Sequence, residues 1–342
     1  MMPRQRNGEE LEDSKGALSI SVKNLVKRFG SLTAVDGISF SVKEGEIFGL
    51  LGPNGAGKTT TISILATITN LTSGSARIYD KDVARDKDEA RKLIGIVFQD
   101  PSLDDELTGR ENLDFHARLY GIKGKEKRDA IDKVLRLVEL DDKANRQVKT
   151  YSGGMKRRLE IARGFIHNPK VLFLDEPTIG LDPQTRRKIW DYIVALNRKE
   201  RITILLTTHY MEEADAICDR IAIIDHGRII KMDTAERLKD SLGGDMISIG
   251  SGDPKALAAL IKRRRLPGSL KERDGTLEIT TKNGSQAIPK IIEMAKDAGI
   301  GVDSVTLNRP TLEDVFINLT GKAIREEGAS DADKLKSFRV RR

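Results

Sequence analysis

The chain has 342 residues, 38% hydrophobic and 32% charged, and its longest unbroken apolar run is Ala256 to Ile261; a membrane-spanning helix needs about 20 such residues, so no crossing of a bilayer is expected. One cysteine, Cys218, excludes an internal disulfide and any multi-cysteine metal site. Lys+Arg 59 against Asp+Glu 52 leaves +7, which permits contact with anionic lipid or nucleic acid without demanding either, and 4% aromatics offer little stacking surface for single-stranded nucleic acid. No nucleic-acid partner is expected. The length fits two domains.

Residues 1–16 are polar and aperiodic, with no apolar segment of a secretory signal, and read as a disordered tail in a cytoplasmic protein. Order begins with the alternating strand pattern A-L-S-I-S-V-K-N-L from Ala17, followed by a second strand, I-S-F-S-V, ending in the turn Lys43-Glu44-Gly45. A strand of buried type, Ile47 to Leu51, runs into a glycine-rich loop, and a helix starts near Lys58. From about 104 to 168 the spacing of apolar residues is helical. Apolar strands return at 171–174, 202–208 and 221–224, alternating with helices. This predicts an α/β fold with a largely parallel sheet covered on both faces.

Gly243-Gly244 marks a boundary. Beyond it the pattern reads strand 245–249, helix 253–264, strand, a turn at Asp274-Gly275, strand 276–281, helix 285–298, strand 302–308 and helix 311–319. The βαββαβ order is ferredoxin-like. Residues 322–342 are polar and end R-V-R-R, and they read as a loose solvated tail.

Three segments carry chemistry. Gly52 to Thr59, G-P-N-G-A-G-K-T, fits G-x-x-x-x-G-K-[ST] between a strand and a helix. Its glycines let successive N–H groups curl around phosphate oxygens, Lys58 reaches the β- and γ-phosphates, and the Thr59 hydroxyl is a ligand for Mg²⁺. Val171 to Pro177, V-L-F-L-D-E-P, is an apolar strand ending in two carboxylates. Asp175 there would hold Mg²⁺ through its water shell, and Glu176 would orient the attacking water. In Y-S-G-G-M-K-R-R-L-E-I-A-R, Ser152 caps an amphipathic helix whose N-terminus, with Gly153 and Gly154, makes a second phosphate-recognising end. Lys156, Arg157 and Arg158 read as a solvated face of that helix.

Over about Leu18 to Asp240 the combination resembles the ATP-binding cassette (ABC) ATPases. The resemblance implies a P-loop NTPase cassette, here over 17–242, with a RecA-like core, an antiparallel β subdomain and a helical subdomain at about 104–168. A small α+β ferredoxin-like domain follows over 243–321. It implies ATP and Mg²⁺ as cofactors and a head-to-tail homodimer with two ATP molecules at the interface. Pro53, Asn54, Gly55, Ala56, Gly57 and Thr60 would line the phosphates with Gly52, Lys58 and Thr59. The Ser152-Gly153-Gly154 signature would face the partner's phosphate loop, with Asp182 of G-L-D communicating across the dimer. Gln99 in V-F-Q-D matches the loop that senses Mg²⁺ and contacts the membrane partner. His209 in L-L-T-T-H matches the switch histidine at the γ-phosphate; His116, His167 and His226 read as structural. Two positions depart from the family pattern. Phe29 in K-R-F-G stands where the adenine-stacking aromatic is commonly Tyr, and Tyr151 opens the signature where Leu is usual.

One cassette, no long heptad insertion and no zinc-type cysteines favour an exporter subunit, with a soluble cassette ATPase acting on ribosomes or DNA as the alternative. The stretch from Ser152 to Pro183, and T-L-E-D-V-F-I-N-L-T-G from Thr311, are similar to the daunorubicin/doxorubicin-resistance exporter ATPases. That likeness implies a subunit on the inner face of the cell membrane. It would drive a separate multi-pass permease for drug, lipid or polyketide efflux, with sodium or polysaccharide export as alternatives.

Overall fold

The computed structural model describes residues 17–264, 268–273 and 276–321. The two tails and the turn at Asp274-Gly275 lie outside the described residues. By contacts the chain divides into two units, Met1–Phe48 with Thr59–Leu206, and Gly49–Lys58 with Thr207–Arg342.

The opening alternation forms β1 (Leu18–Phe29) and β2 (Leu32–Lys43), antiparallel partners that bury Ile20, Val22, Leu25, Ile38, Phe40 and Val42. β3 (Ile47–Leu51) is buried along its whole length and feeds the glycine loop, after which α1 (Lys58–Leu65) begins. β4 (Ser73–Ile78), β5 (Lys81–Asp82), α2 (Lys87–Leu93) and β6 (Ile94–Val97) follow. The helical stretch contains α3 (Gly109–Leu119), α4 (Gly124–Leu137) and α5 (Gly153–Phe165). Thr108 and Glu111 close a reciprocal capping box at the start of α3. Then come β7 (Val171–Asp175), α6 (Pro183–Glu200), β8 (Thr203–Thr208), α7 (Met211–Ile217), β9 (Arg220–Asp225), β10 (Arg228–Asp233) and α8 (Ala235–Asp240). The C-terminal region adds β11 (Asp245–Ser251), α9 (Pro254–Arg263), β12 (Ser269–Arg273), β13 (Thr276–Thr281), α10 (Gly284–Asp297), β14 (Val302–Asn308) and α11 (Leu312–Thr320).

Three sheets result, with strand orders β2-β1-β4-β5, β10-β9-β3-β8-β7-β6 and β12-β13-β11-β14. In the six-stranded sheet β6 and β7 pair in parallel, and β7 and β8 are buried end to end, as continuous apolar strands require. The hairpin β9–β10 adds an antiparallel edge that the apolar pattern did not announce. Its two-residue turn is His226-Gly227, both at positive φ (45° and 76°), the conformation that matches the twist of paired strands. His226 therefore serves as a turn residue.

Within the second unit, β11, β12, β13 and β14 pair antiparallel throughout, in the 4-1-3-2 order of a βαββαβ ferredoxin-like layer. α9 and α10 cover one face through Leu257, Ile261 and Ile291 against Ile247, Ile249 and Ile279. α11 joins a different core. Its Leu312, Val315 and Phe316 pack with Leu51 of β3, Ala214 of α7, Ile221 and Ile223 of β9 and Leu238 of α8. The last helix thus belongs with the strand that leads into the glycine loop.

Candidate active site

The phosphate loop begins where β3 ends. Gly52 N–H donates to the carbonyl of Thr208 at 3.2 Å, tying the first loop residue to the last residue of β8. A Cβ at Gly52 would stand 2.1 Å from the Ile224 carbonyl oxygen, so only glycine fits the approach of loop to β9. Gly55 and Gly57 adopt φ of 80° and 101°, which turns successive N–H groups toward one side. Gly227 N–H donates to the Ala56 carbonyl at 3.0 Å. Pro53 is half-buried, and Asn54 and Gly55 are exposed at the tip. Lys58 is buried, and its Nζ donates to the carbonyls of Gly52 (2.7 Å) and Pro53 (3.1 Å), curling back over its own loop. The half-buried His209 follows β8 directly, its ring centroid 4.1 Å from that of Tyr210. The bond between Gly52 and Thr208 places the residue after β8 beside the start of the loop.

In the other unit, Thr59 and Thr60 lie in the first turn of α1. Thr59 Oγ1 donates to Asp175 Oδ1 at 3.1 Å across 116 residues of sequence. The hydroxyl spends its proton on the carboxylate and keeps its lone pairs for a cation. Two hard oxygen donors side by side suit Mg²⁺, which takes one or two protein ligands and completes its shell with water and phosphate oxygens. Among the described residues there is no cluster of three or more His, Cys, Asp or Glu able to hold a metal alone.

Asp175 and Glu176 are both almost fully buried. Glu176 has φ of 46°, a left-handed backbone that side chains other than glycine adopt at a cost of about 1–3 kcal/mol, and such outliers gather at functional sites. Arg157, read from the sequence as part of a solvated face, is instead buried, and it donates to the carbonyls of Asp175 and Glu176 (both 3.2 Å) and Pro177 (2.6 Å). Helical spacing places a charge on a face but does not say what that face meets. Lys156 does lie outward, paired with Asp105 at 2.8 Å, and Arg158 donates to the Val138 carbonyl at 2.9 Å.

Ser152 caps α5, its Oγ accepting from Met155 N–H at 3.3 Å, which leaves the hydroxyl proton for an outside acceptor. Gly153 and Gly154 face Leu181 and Thr185, and a Cβ on Gly154 would meet Thr185 Cγ2 at 2.6 Å. Tyr151 is buried, and its hydroxyl donates to the Lys143 carbonyl at 2.8 Å, a bond that a leucine there does not make. Asp182 caps α6 by accepting from Gln184 (3.1 Å) and Thr185 (3.0 Å), and these bonds hold its carboxyl below the usual range. Gln99 is exposed, two residues past β6, without a hydrogen bond to Thr59 or Asp175. Phe29 is half exposed, with Lys27 Nζ 4.6 Å above its ring.

The ABC transporter family profile matches residues 35–179, and the profile of the ATP-binding protein DrrA1-3-like C-terminal domain matches 234–320, from α8 to α11. The daunorubicin resistance ATP-binding protein DrrA3 of Streptomyces coeruleorubidus is 39% identical over 313 residues, covering 91% of this chain and 99% of that protein. The chain belongs to the ABC transporter family of ATP-binding proteins. It is an ATPase of the cassette type, with a P-loop α/β core and a ferredoxin-like C-terminal layer. The linearmycin resistance ATP-binding protein LnrL of Bacillus subtilis is 37% identical, covering 90% of this chain and all of its own length. The Nod factor export ATP-binding protein I of Ralstonia nicotianae is 38% identical, covering 90% and 95%. Among solved structures, the dimeric cassette MJ0796 in a post-hydrolysis state bound to ADP and Pi superposes with TM-score 0.56 and 30% identity, over 63% of this chain and 98% of that one.

Proposed function

We propose that this ATPase is the energy-coupling subunit of an exporter and drives a separately encoded multi-pass permease from the inner face of the cell membrane. The hydrogen bond between Thr59 and Asp175 carries the chemical part of the reading, because it sets a cation-binding pair at the start of the helix that follows the phosphate loop. Relatives named for daunorubicin and linearmycin resistance and for Nod factor export support efflux of a drug, lipid or polyketide.

ATP lies with its adenine on Phe29 and its phosphates in the loop from Gly52 to Thr60. Loop N–H groups and Lys58, released from the carbonyls of Gly52 and Pro53, neutralise phosphate charge. Thr59 and Asp175 would hold a magnesium ion that would supply charge neutralisation at the phosphates, with Gln99 sensing it. Glu176 accepts a hydrogen bond from the attacking water and aims it at the γ-phosphorus, and His209 contacts the γ-phosphate. Ser152, Gly153 and Gly154 of a second copy close over the same nucleotide, with Asp182 beside them. The dimeric MJ0796 cassette supports a homodimer of this kind. ATP favours the closed pair over the open one, and hydrolysis reverses the preference. Rotation of the helical segment at about 104–168 then moves the permease, while the region 243–321 steadies the dimer.

Affinity purification from native membranes, with and without Mg-ATP, tests the proposal. A multi-pass membrane protein recovered in stoichiometric amount is expected. Ribosomal proteins or DNA without a membrane partner would overturn the transport reading.

A further inference from the structure

The guanidinium of Arg157 has five N–H donors, and all five find acceptors. Nε donates to the Pro177 carbonyl at 2.6 Å. Nη1 donates to the Phe98 carbonyl at 2.8 Å and to Glu160 Oε2 at 2.7 Å. Nη2 donates to the carbonyls of Asp175 and Glu176, each at 3.2 Å. The side chain is 8% exposed and that of Glu160 is 5% exposed. Burying an ion pair is costly, and here Glu160 plus four carbonyls answer every donor. Glu160 Oε1 in turn accepts from Ser102 N–H at 3.1 Å, so the carboxylate is anchored as well.

The acceptors are not scattered. Three are the consecutive carbonyls of 175, 176 and 177, which bracket the left-handed residue Glu176 (φ 46°). Fixing the peptide planes on both sides of a residue fixes the direction of its side chain. The fourth is the carbonyl of Phe98, next to Gln99. Arg157 itself lies in α5, the helix capped by Ser152.

We propose that Arg157 is a positioning residue for hydrolysis. It holds Glu176 in its strained conformation and ties it both to the signature helix and to the segment that carries Gln99. Movement of α5 against a partner's nucleotide is thereby transmitted to the group that aims water at the chain's own nucleotide. This rests on Glu176 as the water-orienting group. Lysine cannot replace the fork, because its donors all sit on one atom.

The test is steady-state ATPase kinetics with Mg-ATP affinity measured separately on the full chain. Arg157→Gln and Arg157→Lys are expected to lower kcat tenfold or more with the Kd for Mg-ATP within threefold of wild type. The double variant Arg157→Gln/Glu176→Gln is expected to be no slower in single turnover than Glu176→Gln alone. Wild-type kcat in either Arg157 variant, parallel loss of kcat and affinity, or additive losses in the double variant would each overturn the proposal. If the Arg157 variants do not fold, the near-isosteric Glu160→Gln gives the answer. A kcat lowered threefold or more at unchanged Kd supports the clamp, and an unchanged kcat overturns it. Wild-type kcat in Glu176→Gln would instead remove the water-orienting reading on which the clamp rests.

Discussion

Thr59 and Asp175 meet at 3.1 Å, hydroxyl to carboxylate, although 116 residues separate them. The bond joins the first turn of α1 to the end of β7, and it leaves the hydroxyl lone pairs pointing away from the carboxylate. Thr59→Val and Asp175→Asn are each expected to lower Mg-ATP hydrolysis about a hundredfold, the usual loss when one preorganised charge-stabilising group is removed. Nucleotide binding in EDTA is expected to survive both changes. A magnesium titration of hydrolysis and binding separates the two effects.

Lys58 is a buried cation whose Nζ donates to the carbonyls of Gly52 and Pro53 in its own loop. Those bonds hold the ammonium ready for an anion. Lys58→Ala is expected to weaken ATP binding by more than tenfold, since charge-assisted bonds to an anion contribute about 1.5–3 kcal/mol each. Titration with a fluorescent ATP analogue gives the number.

Glu176→Gln keeps the shape of the side chain and removes its charge. Hydrolysis is expected to fall by about 10²–10⁴ while ATP still binds, the range for loss of a general base. Gel filtration with ATP is expected to show a longer-lived dimer than wild type.

The motif T-L-E-D-V-F was legible as the start of a helix, and the structure adds the capping box of Thr311 and Asp314 and what the helix touches. Phe316 is buried against the core shared by β3, α7, α8 and β9. Phe316→Ala is expected to cost about 3 kcal/mol, as large-to-small changes in a packed core do. Thermal melting is expected to drop by roughly 6–10 °C for a domain of this size. Truncation after Leu242 is expected to destabilise the cassette itself, since it uncovers Leu51 and Ile223.

His116 stands edge-on to Tyr120 at 5.3 Å, and Tyr120 stacks on His167 at 3.7 Å. Burial, then the charges of Arg163 and His167, push the His116 imidazole down to about 4 from its ordinary 6.5. Burial lowers His167 as well. The folded chain therefore keeps His116 neutral while the unfolded chain takes up a proton. Stability is present in full above pH 6.5 and declines as pH falls from 6.5 toward 4. Melting temperatures at pH 7.5 and 5.0 are expected to differ more for wild type than for His116→Gln.

Much of the site was readable because its parts are local. Gly52 to Thr59 is one contiguous loop whose glycines, lysine and hydroxyl follow from what a phosphate demands of backbone and charge. Asp175 and Glu176 end an apolar strand, and Ser152 caps a helix, both of which are features of a few neighbouring residues. Arg157 was misread for the opposite reason. Its partners are Glu160 one turn away and four carbonyls at 98 and 175–177, and carbonyls have no signature in a sequence.

The hydrophobic periods and the glycine-rich motif determined an α/β fold with a largely parallel sheet, the phosphate loop and the βαββαβ layer, because hydrogen bonding and burial act over short stretches with fixed repeats; the cassette architecture came from the resemblance to the ABC ATPases. Tertiary structure decided three further things. It set the meeting of Thr59 with Asp175, the burial of Arg157 behind Glu176, and the docking of α11 on the core beside the phosphate loop rather than on its own sheet. Each depends on which surfaces the folded chain brings face to face, and a one-dimensional pattern does not specify the surface opposite.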